Sequence, residues 1–232
     1  MKTDPLKQIP LFTSLSERER HRITGQLAET CYKKGEYIFR EGDPAERFHI
    51  LASGSVKCVK TSSDGKEVTM KVLMPGDLFC CDVAVIEGAV HPGCAQPMGE
   101  VRVLSLTKKS YFNMLRRNPD AALEVIRYLG CRLHEAQEKA KVMALNPADQ
   151  RLASLLVNLA SRTGVPHPNG VRLTVRLTRR DLADMVGLTP ETAIRVMSRF
   201  KHQKMVTGTA KNLIILDLEK LKTLAEPSPS SR

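Results

Sequence analysis

Residues 178–201 read "TRRDLADMVGLTPETAIRVMSRFK". Thr178 can accept a backbone N–H at a helix start, and Asp181 stands three residues on, an approximate capping box. Leu182, Ala183 and Val186 give that helix one apolar stripe. Gly187 ends it and Leu188 fills the turn. Thr189 caps the next helix, and Pro190 takes its first position, where a missing N–H costs nothing. Ala193, Ile194, Val196, Met197 and Phe200 supply its buried and flanking positions. The stretch is a helix, a glycine turn and a second helix, a helix-turn-helix.

Charge gathers around this motif. The chain of 232 residues carries a formal net charge of +11. Residues 172–211 hold nine lysines and arginines against three acids, Asp181, Asp184 and Glu191, so over half of the excess lies in about a sixth of the chain. Basic excess beside a helical motif is the electrostatic footprint of a nucleic-acid binder. A second helix lying in the major groove presents its N-terminal polar side chains to base edges. Glu191 and Arg195 are four residues apart and share a face. Glutamate accepts from a cytosine amine, and arginine donates two bonds to a guanine. Arg199, one turn on, reaches towards a phosphate or an outer base. Thr192 and Ser198 suit phosphates, and Thr178 and Arg179 join the set from the first helix, as does Thr189 from the turn. "VTGTAKNLIIL" (206–216) reads as a β-hairpin wing whose Lys211 touches the DNA backbone.

The rest of the chain falls into further parts. Residues 1–30 read as helical, with Leu11, Phe12, Leu15, Ile23 and Leu27 apolar and Ser14 or Ser16 as a cap. Between 31 and 108, glycines recur at 35, 42, 54, 65 and 76. Short runs lie between them: "EYIFRE", "RFHILA", "SVKCVK" and "EVTMKVL". Asp64-Gly65 is a hairpin signal. "EVRVLSLT" is a further strand. This is the pattern of an antiparallel sandwich or barrel. A short helix around 110–116 ends at Asn118-Pro119. Ala122, Ile126, Leu129, Leu133, Ala136, Ala140 and Met143 then follow at alternating spacings of four and three, a heptad seam that predicts a parallel dimer. Asn146-Pro147 breaks the helix and marks a hinge. "PADQRLASLLVNLASRTG" is one amphipathic helix, Pro166 to Gly170 a loop, and "VRLTVRLT" (171–178) a strand.

Composition sets the remaining bounds. No apolar run approaches the length of a membrane span, and Met1 to Pro5 leads into no signal-peptide core. A cytoplasmic protein with no membrane partner is expected. The six cysteines, at 31, 58, 80, 81, 94 and 131, form no evident disulfide framework. Cys31, Cys58 and Cys131 read as buried packing residues. "GDLFCCD" (76–82) is more ambiguous: metal site, redox switch, nucleophile or core. Were it a strand, Cys80 and Cys81 would point to opposite faces.

The order of parts resembles the CRP/FNR family of bacterial transcription regulators along nearly the whole chain. The matching stretches are "GEYIFREGD", "HILASGSVKCV", "DGKEVTMKVLMPGDLF", "NPDAALEVIRYLGCRL", "QRLASLLVNLA", "LTRRDLADMVGLTPETAIRVMSRF" and the wing. The resemblance implies an α+β chain in three parts. An N-terminal antiparallel β-roll, jelly-roll-like and of the cyclic-nucleotide-binding-domain type, spans residues 1–117. A dimerisation helix spans 118–145, and a winged helix-turn-helix spans 146–232. It also implies a homodimer on an inverted repeat of double-stranded DNA, with RNA polymerase as a further partner if the protein activates. The family's base-reading positions fall on Glu191 and Arg195, which implies TGA-like half-sites. Pro190 and Ile194 depart from the common pattern, so the outer bases are expected to differ; Ile194 suits a thymine methyl.

The implied effector pocket departs further. Where cyclic-AMP binders carry Gly-Glu for the ribose and Arg-Ser for the phosphate, this chain has Cys80-Cys81 and His91-Pro92. Each lost contact is charge-assisted, so cyclic AMP is not expected. "HPGCAQ" resembles the redox- and gas-sensing FNR-like branch. Residues 1–30 contain no cysteine, so an FNR-type iron–sulfur cluster is not expected either. The carbon-monoxide-sensing haem member has "GDMFC" where this chain has "GDLFC". That leaves haem as a candidate cofactor, with Cys80 as thiolate ligand and His49, His91 or the other subunit's N-terminus as the second. The implied pocket is Phe79, Cys80, Cys81, Asp82, His91 and Cys94. Two other readings stand beside a redox, gas or small-ligand regulator: an effector-independent regulator with the roll as scaffold, and a cysteine enzyme using Cys80 and His91. No Ser-His-Asp set, P-loop or zinc spacing supports an enzyme.

Overall fold

The computed structural model describes residues 9–63, 65, 67–80, 83–209 and 212–226. The chain forms two compact units, the first running to Glu135 and the second from Ala136 onward with Val68–Met70 grouped into it. Two short helices open the first unit, α1 (Pro10–Thr13) and α2 (Glu17–Thr24). Seven strands follow: β1 (Ala28–Tyr32), β2 (Arg47–Ser53), β3 (Val56–Thr61), β4 (Glu67–Leu73), β5 (Leu78–Phe79), β6 (Cys94–Pro97) and β7 (Val101–Thr107). They make two sheets, ordered β1-β7-β2-β5 and β4-β3-β6. Helices α3 (Lys108–Arg117) and α4 (Pro119–Leu145) come next.

The two central strands of the larger sheet are apolar on both faces, because each face meets a different core. Phe48 and Ile50 of β2 and Leu104 and Leu106 of β7 pack with Phe12, Ile23, Tyr111 and Met114 of the helices. The alternate residues Leu51, Val101 and Val103 turn the other way. They pack with Val56, Phe79, Cys80 and Ala95 inside the roll. Cys80 is therefore part of the interior.

The first half of α4 lies on the helical side, with Ala121, Val125, Tyr128 and Leu129 against that core. Its other face stays open: Ile126 is 64% and Leu133 62% exposed. Of the seam residues, Ala122 and Leu129 are half-buried and the other five exposed.

The second unit contains α5 (Ala148–Thr163), β8 (Gly164–His167), β9 (Gly170–Leu173), α6 (Arg179–Met185), α7 (Pro190–His202), β10 (Val206–Thr209), β11 (Asn212–Ile215) and α8 (Leu218–Ala225). Its strands form one sheet, β10-β11-β9-β8. Leu152, Leu156, Leu182, Val196, Phe200, Ile215 and Leu221 are buried there.

Several expectations need correction. "EYIFRE" (36–41) is not a strand; its one β-bridge among the described residues pairs Phe39 with Ala95. Its neighbours satisfy their backbone locally: Lys33 N–H donates to Glu36 Oε2 at 2.7 Å and Arg40 N–H to Asp43 Oδ2 at 2.6 Å. Such bonds compete with a strand ladder. Residues 1–30 are not continuously helical, since β1 begins at Ala28. Ser16 is the cap of α2, accepting from Glu19 N–H. The strand expected over 171–178 ends at Leu173, because Thr174 turns away to bond the Thr163 carbonyl through both its N–H and its hydroxyl at 3.0 Å. Pro166 belongs to β8 and not to a loop. Cys31 and Cys131 are exposed, not buried. Cys31 lies on the edge strand of its sheet, and Cys131 on the helix face turned away from the roll core. Cys58 does pack against the roll interior. Asp64, Cys81, Asp82 and Lys211 lie outside the described residues.

Candidate DNA-reading surface and effector site

The helix-turn-helix is built as its sequence dictates. Thr178 Oγ1 accepts from Asp181 N–H at 3.0 Å, and Asp181 Oδ2 accepts from Thr178 N–H at 2.8 Å, a full capping box. Asp181 Oδ2 also accepts the Thr178 hydroxyl proton at 2.6 Å, so that hydroxyl is held by the cap. Gly187 takes φ +64°, which a side chain rarely adopts. Its N–H bonds the Asp184 carbonyl, and Leu188 N–H bonds that of Ala183, which closes α6 in a Schellman motif. Thr189 Oγ1 then caps α7 through Thr192 N–H at 3.2 Å.

Burial of Ala193, Val196 and Phe200 fixes how α7 is rotated. The opposite face carries Glu191, Ile194, Arg195, Ser198 and Arg199, all exposed. The structure thus places these five predicted residues on one open stripe. Thr178, Arg179 and Thr189 are exposed at the adjoining helix starts, and Thr192 is half-buried. Arg199 has a partner that sequence reasoning missed. Its Nη2 lies 3.1 Å from Asp149 Oδ2 in the first turn of α5. No spacing rule links residues 50 apart. A cavity of about 470 Å³ at the wing sheet, lined by Arg172, Leu173, Thr174, Arg176 and Asn212, was also not foreseen.

The expected effector pocket is a packed interior around three groups. A nitrogen of His49, the Cys80 sulfur and a nitrogen of His91 all lie within 4.8 Å of one another. His49 stands on β2 opposite Phe79 of β5. β5 ends at Phe79, so Cys80 does not alternate as a strand residue would. It takes φ +69°, a strained conformation for a residue other than glycine. Its carbonyl accepts from Ala84 N–H at 2.8 Å. His91 is pinned by its backbone, donating to the Asp43 carbonyl at 2.8 Å and accepting from Gly42 at 2.9 Å.

Aromatic rings close the space. Phe39 stacks on His91 with centroids 3.7 Å apart, and His49 stacks on Phe79 at 5.2 Å. His49 and His91 are 8% and 3% exposed. Burial, reinforced by the charges of His91 and Arg47, lowers the His49 pKa to about 4. His49 is therefore neutral at physiological pH, and its Nδ1 is buried with no hydrogen-bond partner. Cys94 does not join the group. Its sulfur accepts from Glu41 N–H at 3.3 Å. Phe39, which lies over His91, carries no signal in the sequence. With rings at contact distance beside Cys80, the residues suit a small ligand or a single ion better than a planar macrocycle such as haem.

Comparison with known proteins agrees with both units. The cyclic nucleotide-binding domain model matches residues 29–118, and the Crp-like helix-turn-helix domain model matches residues 150–224. The chain belongs to the CRP/FNR family of transcription regulators. Like others of the CRP/FNR family, it is a DNA-binding regulator and not an enzyme. It is 27% identical over 199 residues to the CRP-like cAMP-activated global transcriptional regulator of Mycobacterium tuberculosis, covering 86% of this chain and 88% of that one. It is 28% identical over 202 residues to the fumarate and nitrate reduction regulatory protein of Vibrio cholerae, covering 86% and 79%. Among solved CRP/FNR folds, FixK2 from Bradyrhizobium japonicum superposes with a TM-score of 0.76 at 23% identity over 87% of this chain and 98% of that one. A variant of CooA from Carboxydothermus hydrogenoformans gives 0.75 at 23% identity over 97% of each. Among the described residues, no helix is long and apolar enough to cross a membrane.

Proposed function

We propose that this regulator acts as a cytoplasmic homodimer on an inverted repeat with TGA-like half-sites, under the control of a signal received inside the β-roll. The observation that carries the DNA reading is the open stripe of α7, with Glu191 and Arg195 side by side above a buried Ala193–Val196–Phe200 face. A carboxylate and a guanidinium one turn apart can read both members of a G·C pair. Arg199 is steadied by Asp149 and set to contact an outer base or phosphate. The exposed Ile126 and Leu133 of α4 support pairing along the heptad seam. Three working parts follow: a sensor over 1–117, a dimer helix over 118–145 and a reader over 146–232.

The signal is a redox, gas or small-ligand one. Cys80-Cys81 and His91-Pro92 stand where a cyclic-nucleotide pocket of this family would carry Gly-Glu for the ribose and Arg-Ser for the phosphate, and of these Cys80, His91 and Pro92 are among the described residues. Cys80 and His91 are buried among aromatic rings, an environment hostile to a cyclic phosphate. Selection of random duplexes on the full-length protein, with and without oxygen, tests the reading. Enrichment of a palindrome with a GA core in each half-site is expected. Failure to enrich any palindrome under either condition refutes it. Enrichment that is the same under every redox condition and with every small ligand tried would assign the roll to scaffold alone.

A further inference from the structure

We infer that His49, Cys80 and His91 form a binding site for one late transition-metal ion of the zinc–cobalt–copper class within the β-roll. This rests on the reading of the roll interior as the place where the signal is received, and it names the chemistry of that signal. Among the described residues this is the one set of three metal-ligating side chains whose donor atoms converge within 4.8 Å, and all three are buried. About a tetrahedral centre with metal–nitrogen bonds of about 2.0 Å and a metal–sulfur bond of about 2.3 Å, such donors stand roughly 3.5 Å apart. Small side-chain rotations would close the difference.

Four further observations point the same way. Nδ1 of His49 is buried with no hydrogen-bond partner. An orphaned polar atom in a core is costly, and a cation bound at this imidazole would remove that cost. Cys80 holds a left-handed backbone that turns its side chain into the core instead of continuing β5. Strain of this kind collects at functional sites. The donors come from a strand, a strained turn and a loop pinned on both sides by backbone bonds, so their positions are set before any ion arrives. The shell beyond them, Phe39 and Phe79, is apolar and excludes water.

Two imidazoles and a thiolate suit borderline-soft ions and disfavour magnesium or calcium. Binding would displace the Cys80 proton to solvent, leaving a thiolate on the metal. Three protein donors leave a fourth position open to a small exogenous ligand, as in reactive metal centres.

Full-length protein without a polyhistidine tag, reduced and metal-free, is titrated with Co²⁺ and then with Zn²⁺. The expected result is one Co²⁺ per chain with a thiolate charge-transfer band and the visible bands of a tetrahedral centre, both erased by Zn²⁺. Cys80→Ser should lose the charge-transfer band, and His49→Gln and His91→Gln should lose saturation at one equivalent. Cys58→Ser and Cys94→Ser should keep both. Should Cys80→Ser not fold, alkylation of the wild type followed by mass spectrometry serves instead: Zn²⁺ should protect Cys80 and leave Cys31 and Cys131 reactive. No charge-transfer band at one equivalent, or a band retained in Cys80→Ser, overturns the site. Gel shifts on the selected palindrome use the same preparations. DNA binding without a cobalt band refutes the metal site alone, whereas a cobalt band without DNA binding refutes the regulator reading alone.

Discussion

Replacing Ile126 and Leu133 together by alanine should dissolve the dimer and leave the protomer folded. The side chains are 64% and 62% exposed in the single chain. Fully burying such a side chain contributes about 1.5–3 kcal/mol. Covering the exposed two-thirds therefore contributes about 1–2 kcal/mol per residue. Four such side chains meet in a two-fold pair, so the dimer should lose about 4–8 kcal/mol when they are cut back to Cβ. At about 1.4 kcal/mol per tenfold, the dissociation constant should rise by about 10³-fold or more. Because neither side chain is buried in the protomer, thermal unfolding of the monomeric variant should show a cooperative transition of ordinary enthalpy. Analytical ultracentrifugation over a concentration series measures the constant, and gel shift on the palindrome reports the consequence. A variant that stays dimeric at the wild-type concentration would refute the seam as the interface. Unfolding of the variant would refute the claim that this face is free of the protomer core.

Three further outcomes are expected. Arg195→Ala should weaken binding to the selected palindrome by about 1–3 kcal/mol and relax preference at one base pair, while binding to unrelated DNA changes little, as read by competitive gel shift. Thr178→Ala should remove the capping box and lower stability by about 0.5–2 kcal/mol in denaturant titration. In the metal-free protein the pKa of His49 lies near 4, below its ordinary 6.5, so between those values the unfolded chain holds a proton that the folded one does not. Stability should be full above pH 6.5 and fall as pH drops to 4, by on the order of 3 kcal/mol. Urea titrations with chelator should show this slope in the wild type, and an equal slope in His49→Gln would reject the assignment.

The metal-site inference also bears on the family resemblance. A cyclic-nucleotide-type roll has an interior that is already dry and walled by sheet. On the proposed reading, a thiol and an imidazole in place of polar ligand contacts would change what the cavity recognises without changing the fold. The same frame could then serve different signals, because function lies in the side chains grafted on a fold and not in the fold itself.

The sequence determined the parts whose physics is local. Cap, glycine turn, Thr-Pro start and three-four periodicity each act within one or two helical turns. Hence Thr178, Gly187, Thr189 and the buried face of α7 could be read directly, and Glu191 and Arg195 with them. The helix of α4 was legible for the same reason. Tertiary structure decided what depends on residues far apart in the chain. Whether 36–41 joined a sheet was settled by the Glu36 and Asp43 carboxylates accepting from the N–H groups of Lys33 and Arg40. The partner of Arg199 is set by how α5 packs on α7. The meeting of His49, Cys80 and His91 needed a strand pairing, a left-handed turn at Cys80 and a loop held by Asp43 and Gly42. Alternation could not flag His49, since β2 is buried on both faces. Donor atoms converge through backbone geometry across three segments, and no periodicity in a single segment records that.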